Sequence, residues 1–143
     1  EFSLMVTDKQ KDALIAAARA VQKKAYAPYS HYLVGAALLG DDGVVYTGVN
    51  IENASYGLTV CAERTAVFNM VNAGTKTFQA IAVCGEGKSS PCGACRQVLV
   101  EFAGDVPVYL TSSQGEVLET TLHTLLPHHF GPSNLAKGQG TLD

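Results

Sequence analysis

The sequence has no tryptophan, only two methionines, and no Lys/Arg cluster longer than the pair Lys23-Lys24. A chain that holds a nucleic-acid backbone usually carries a basic stripe. Its absence here, with a formal net charge of −3, argues for a small-molecule partner and against DNA or RNA. No apolar run approaches the roughly 20 residues of a membrane span and no secretory leader is visible, so no membrane partner is expected. Glu1-Phe2-Ser3-Leu4 precede Met5 and read as an expression remnant, which leaves 5–143 as a single domain. A chain of 143 residues is long enough to bury roughly 70% of the surface it exposes when unfolded.

Cysteine is scarce, and its placement is informative. Of the four, Cys61, Cys92 and Cys95 fall in two short boxes, Cys61-Ala62-Glu63 and Pro91-Cys92-Gly93-Ala94-Cys95, while Cys84 stands apart. This is the usage of a reduced, cytoplasmic metal site and not of a disulfide framework. Three soft sulfur ligands suit zinc, one ion per subunit, and leave the fourth tetrahedral position for water. Glu63, two residues from the first ligand, is placed to move that water's protons.

The pattern along the chain predicts the order αββαβαββα. Thr7-Asp8-Lys9-Gln10 has the form of a capping box. Leu14, Ala18, Val21 and Ala25 then repeat at helical spacing, predicting a helix over 8–25. Residues 32–39 read as a strand buried on both faces, paired through Gly40-Asp41-Asp42-Gly43 with 44–49. A helix opens at Cys61 and stops at Gly74, a buried strand covers 78–84, and a third helix runs from Cys92 to near Gly104. Strands over 106–110 and 116–120, a helical turn over 122–126 and a loosely held tail over 130–143 complete the chain. Such an order implies an α/β fold, a mixed sheet with helices on both faces and some neighbouring strands parallel.

Both boxes sit where helices begin. Unpaired amides and the positive end of the helix dipole stabilise thiolates there. Cys92 and Cys95, at i and i+3, bind from one helical turn. Cys61 and Glu63 do not share a helix face, so the carboxylate can miss the metal and reach its water. Three thiolates on a divalent ion leave a charge of −1, which Arg64 or Arg96, each beside a box, is placed to offset. Two other readings stand beside this one. Cys84 would complete a closed four-thiolate structural zinc, leaving Glu63 without a role. Cys92-x-x-Cys95 also has the form of a thioredoxin-type redox pair, against which Cys61 and Glu63 argue. His123, His128 and His129 lie outside any ligand spacing.

With these boxes, the chain resembles the small homotetrameric cytidine deaminases, over about residues 25–130. The likeness is densest at Ala27-Pro28-Tyr29-Ser30, Gly35-Ala36-Ala37-Leu38, Asn50-Ile51-Glu52-Asn53-Ala54-Ser55-Tyr56, Cys61-Ala62-Glu63-Arg64-Thr65-Ala66 and Ser90-Pro91-Cys92-Gly93-Ala94-Cys95-Arg96-Gln97. The resemblance implies a three-layer fold, a five-stranded mixed sheet between helices. It also implies hydrolytic deamination of cytidine and 2′-deoxycytidine by a zinc-activated water, with Glu63 as proton shuttle and Arg64 offsetting thiolate charge. Asn50 and Glu52 would hold the ribose, Tyr32, Tyr56 and Ala62 would line the substrate, and Phe130 would pack on the base in a neighbouring subunit's site. Tyr32 departs from the family's usual phenylalanine. A deaminase of a nucleoside antibiotic such as blasticidin S, and a non-catalytic zinc-stabilised binding module, are the alternatives.

Overall fold

The computed structural model describes residues 6–87 and 89–136. Glu1–Leu4 and the last residues of the tail lie outside them.

Helix α1 spans Asp8–Gln22, and both halves of its capping box form. Gln10 N donates to Thr7 Oγ1 at 3.1 Å and Thr7 N to Gln10 Oε1 at 2.9 Å. The helix ends three residues before the sequence periodicity does, because a different backbone partner takes over. Tyr26 N donates to Asn50 O at 3.0 Å and Glu52 N to Tyr26 O at 2.8 Å, so the chain leaves the helix to bridge the 50–52 segment.

Five strands follow the expected hairpin and crossovers: β1 Gly35–Gly40, β2 Val45–Val49, β3 Phe78–Gly85, β4 Pro107–Ser112 and β5 Val117–Thr121. Their spatial order is β2-β1-β3-β4-β5. Only β3 and β4 are parallel, joined across helix α3 (Gly93–Glu101), as a strand–helix–strand connection requires. Strand β1 begins at Gly35 and not at Tyr32, since side-chain bonds replace the ladder before it. Asn50 Oδ1 accepts from Val34 N at 2.9 Å and Asn50 Nδ2 donates to Tyr32 O at 2.8 Å.

The two-residue period of β1 and β3 splits the core into two layers. Ala37, Leu39, Ala80, Ala82 and Cys84 pack against Leu14, Ile15 and Ala18 of α1. Ala36, Leu38, Ile81 and Val83 pack on the opposite face, against helix α2 (Ala62–Asn72) and α3. Gly48 of β2 lets α2 lie against the sheet: a Cβ there would stand 2.3 Å from Ala66 N and 2.6 Å from Ala62 O. Gly74, with φ +104°, ends α2 where the sequence places the stop. Helix α4 is the short turn Leu122–Leu125. The expected loose tail contains a further short helix, α5, Pro132–Ala136, started by the Gly131 N to Asn134 Oδ1 bond at 2.8 Å. Among the described residues no helix is long and apolar enough to cross a membrane.

Candidate active site

Cys61 is the N-cap of α2 and Cys92 the N-cap of α3, both with extended backbone. Their carbonyls accept the first helical bonds, from Thr65 N at 3.1 Å and Arg96 N at 2.9 Å. Neither side chain caps its own helix, so both sulfurs are free to turn outward. Cys95 comes up from the first turn of α3. The three sulfurs lie within 4.8 Å of one another, with Cys61 and Cys92 at 3.9 Å. A tetrahedral zinc with Zn–S of about 2.3 Å sets neighbouring sulfurs about 3.8 Å apart, so the set fits the ion.

The surrounding charge supports the same fit. Arg64 Nη2 donates to Cys61 Sγ at 3.5 Å, and Arg64 Nε is buried without a hydrogen-bond acceptor, a donor held ready for more negative charge than neutral thiols carry. A hydrogen bond from Cys95, and then Arg64, hold the Cys61 thiol well below its ordinary range. Cys95 is pushed up in return, chiefly by donating to Cys61 and by burial. Arg96 is committed elsewhere. It donates to Pro91 O at 2.7 Å, Leu125 O at 2.7 Å and Ser90 Oγ at 2.8 Å, and so anchors the end of the loop before Cys92. Of the two arginines beside the boxes, Arg64 is the one at a sulfur.

Glu63 is 4% exposed and is not among the ligand atoms that converge. Burial above all, with the Cys61 charge adding, pushes its carboxyl up to about 7, against a backbone hydrogen bond and Arg64 that pull it down. A carboxyl in that range both takes and gives a proton near neutrality. Cys84 lies on the α1 face of the sheet and donates to Gln22 Oε1 at 3.3 Å. It takes no part in the sulfur set, which removes the closed four-thiolate reading. His123 and His129 face each other with ring centroids 4.8 Å apart, also outside the set.

A cavity of about 420 Å³ opens above Glu63, Cys61 and Cys92, with Asn50, Glu52, Tyr32, Tyr56 and Ala62 in its walls. Ser30, Val34, Thr59, Ser89 and Ser90 complete the lining. The sequence does not single out Ser30, Val34, Thr59 or Ser89 for the cavity; Ser30 stands in the Ala27-Pro28-Tyr29-Ser30 block of the resemblance, whereas Ser89 is a single hydroxyl brought in by a loop and carries no local signal. Phe130 is 57% exposed and absent from this lining. Gln97 Nε2, on α3, holds its carbonyl at 2.8 Å. A second cavity of about 460 Å³, between Phe78 and Phe102 at the far end of β3, contains none of the thiols and no Glu63.

The sugar corner is already bonded within the chain. Glu52 Oε1 accepts from Tyr29 N at 2.9 Å and Ser30 N at 3.1 Å, and Oε2 accepts from Ser30 Oγ. The Ser30 bond foremost holds Glu52 below the usual carboxylate range. Glu52 is therefore a structural brace of the 27–30 loop as well as a wall of the cavity.

Helix starts that bring three sulfurs to one point, with a buried carboxylate beside them, are the arrangement of the zinc-dependent nucleobase deaminases. The family model described as the cytidine and deoxycytidylate deaminase zinc-binding region matches residues 8–111. A cytidine deaminase of Sporosarcina psychrophila is 51% identical over 128 residues, covering 87% of this chain and 94% of its own. The crystal structure of cytidine deaminase from Burkholderia pseudomallei matches with a TM-score of 0.81 and 52% identity, covering 87% of this chain and 100% of that one. The cytidine deaminase of Mycobacterium tuberculosis matches with a TM-score of 0.77 at 40% identity, over 88% of this chain and 99% of that one. The chain belongs to the cytidine and deoxycytidylate deaminase family.

Proposed function

We propose that the protein converts cytidine and 2′-deoxycytidine to uridine and 2′-deoxyuridine, with release of ammonia, in pyrimidine salvage. The observation that carries this reading is the convergence of Cys61, Cys92 and Cys95 beside buried Glu63 at the floor of a cavity that also holds Asn50 and Glu52. The half-identical cytidine deaminases support the same substrate class. Cys61, Cys92 and Cys95 hold one zinc per subunit, whose Lewis acidity makes a water acidic enough to serve as nucleophile. Glu63 takes the proton of the attacking water and hands it to ring N3, which makes C4 more electrophilic. It then carries the second proton to the amino nitrogen, which leaves as ammonia. The Ala62 amide and the Ser90 carbonyl flank the thiols and orient that leaving nitrogen. Arg64 balances the thiolate charge.

Asn50 and Glu52 bind the sugar with the hydrogen-bonding capacity their internal partners leave over; each carboxamide and carboxylate atom accepts or donates more than once. That corner favours a nucleoside over an antibiotic that lacks its sugar hydroxyls, and Glu63 favours an enzyme over a zinc-stabilised binding module. Three reduced thiols need a reducing compartment, so the protein works in the cytoplasm. Phe130, exposed and not part of its own cavity's lining, packs on the base in a neighbouring chain of a homotetramer; a single chain by sedimentation would sink that part.

The test is the ultraviolet absorbance of cytidine, 2′-deoxycytidine, free cytosine and blasticidin S with added enzyme. Both nucleosides are expected to turn over well and free cytosine poorly. Blasticidin S as the preferred substrate, or comparable kcat/KM for cytosine and cytidine, would reject the reading.

A further inference from the structure

Ser89 and Ser90, in the loop between β3 and Cys92, line the cavity together with Cys61 and Cys92. The start of the loop is tied to the sheet at Gly85 and its end to α3 through Arg96. Between these anchors, among the described residues, the side-chain hydrogen bonds to the rest of the fold go to a tyrosine hydroxyl. Tyr32 OH is hydrogen-bonded to Ser89 Oγ and accepts from Gly87 N at 3.5 Å. Tyr32 is itself held by the sugar corner: its carbonyl accepts from Asn50 Nδ2 at 2.8 Å and its N–H donates to Ser30 Oγ at 3.1 Å. Ser30 Oγ in turn is bonded to Glu52. A continuous set of hydrogen bonds thus runs from Glu52 and Asn50, through Tyr32, to Ser89 and the backbone beside Ser90.

We propose that Tyr32 is a positioning residue whose hydroxyl sets the Ser89–Ser90 wall against the reacting end of the substrate, so that the sugar corner and the leaving-group wall are placed as one unit. Phenylalanine at this position supplies the ring and the pocket surface but no donor or acceptor, and leaves the middle of the loop without this tie. The packing under the loop agrees. Gly85 has no side chain, and a Cβ there would stand 1.9 Å from Ser89 Oγ and 2.9 Å from Tyr32 OH, so the two hydroxyls meet in the space that glycine leaves open. The effect belongs to kcat more than to KM. The tie ends on the wall beside the reacting carbon, while the Asn50 bonds to the Tyr32 and Val34 backbone survive loss of the hydroxyl.

The inference rests on the cytidine reading for its kinetic part and on the hydrogen bonds alone for its structural part, so two measurements separate them. Tyr32→Phe, Ser89→Ala and the double variant are assayed with cytidine, and amide hydrogen exchange is followed over residues 85–91. Each single variant is expected to lower kcat by about three- to tenfold, the worth of one net hydrogen bond, with KM within about twofold. The double variant should be no worse than either single. Gly85→Ala, which keeps both hydroxyls but displaces Ser89, should reproduce the loss. Exchange over 85–91 should quicken in all of them while that of α1 stays unchanged. Multiplied losses in the double variant, a change in KM alone, or unaltered exchange would each overturn the proposal. If the unmutated protein leaves cytidine untouched, the cytidine reading falls, and the exchange result still decides whether Tyr32 holds the loop.

Discussion

Glu63 and Arg64 are neighbours in sequence with opposite tasks, and the site separates them by burial and partner. Glu63 is buried, with the Cys61 charge near it, which is why its carboxyl is pushed up to about 7. Glu63→Gln keeps shape and packing but cannot shuttle protons. It should retain zinc and lose turnover by at least ~10²–10⁴-fold, read by ultraviolet assay alongside elemental analysis. Near-normal turnover with zinc bound would leave Glu63 without its role. Arg64 touches a sulfur and no reacting atom. Arg64→Gln should cost roughly 10–100-fold in zinc affinity or activity, measured by competition with a chelator, and less turnover than the Glu63 change. The identities of both residues were legible beside the Cys61 box. Position beside the boxes left Arg64 and Arg96 equally open, and the family resemblance pointed to Arg64; the physical reason lies in the fold, which brings the Pro91 and Leu125 carbonyls to Arg96.

At the level of elements, the metal set is a consequence of where two helices start. Helix α2 is seated by Gly48, and α3 by the parallel β3–β4 crossover. Gly48→Ala forces a methyl into the α2 backbone near Ala62 and Ala66 and should destabilise the fold by about 1–3 kcal/mol. Because α2 carries Cys61, the same change should weaken zinc retention, seen as a lower melting temperature together with less bound metal. Unchanged stability would mean that α2 is free to ride outward. Strand and helix identities followed from periodicity and caps, as at Thr7 and Gly74. The boundaries that slipped, at Gln22 and Gly35, slipped where Asn50 and its neighbours supply hydrogen bonds from a distant part of the chain.

For the whole molecule, three ligands on two helices mean that metal binding and folding are one equilibrium. Removing zinc with a strong chelator should lower the melting temperature as well as stop turnover, and restoring zinc should recover both. A chelated protein that melts unchanged would show a fold independent of its metal. The two core layers, one under α1 and one under α2 and α3, give the sheet its own support, so partial loss of stability is expected and not complete unfolding.

The cysteine boxes, the glutamate between them, the capping signals and the alternation of β1 and β3 are local properties, and the sequence by itself determined them: spacing alone sets which residues share a helix turn or a strand face. Only the tertiary structure decided which groups those residues meet. Cys84 turned to the α1 face because a strand alternates and the register with β1 leaves it opposite Gly35. Glu52 became a brace because the turn at Tyr26 brings Tyr29 and Ser30 over it. Tyr32 found Ser89, 57 residues away in the chain, because the 50–52 segment holds one and the end of β3 delivers the other. Pairings across such separations depend on the closing of the sheet, and no local pattern in the sequence carries that information.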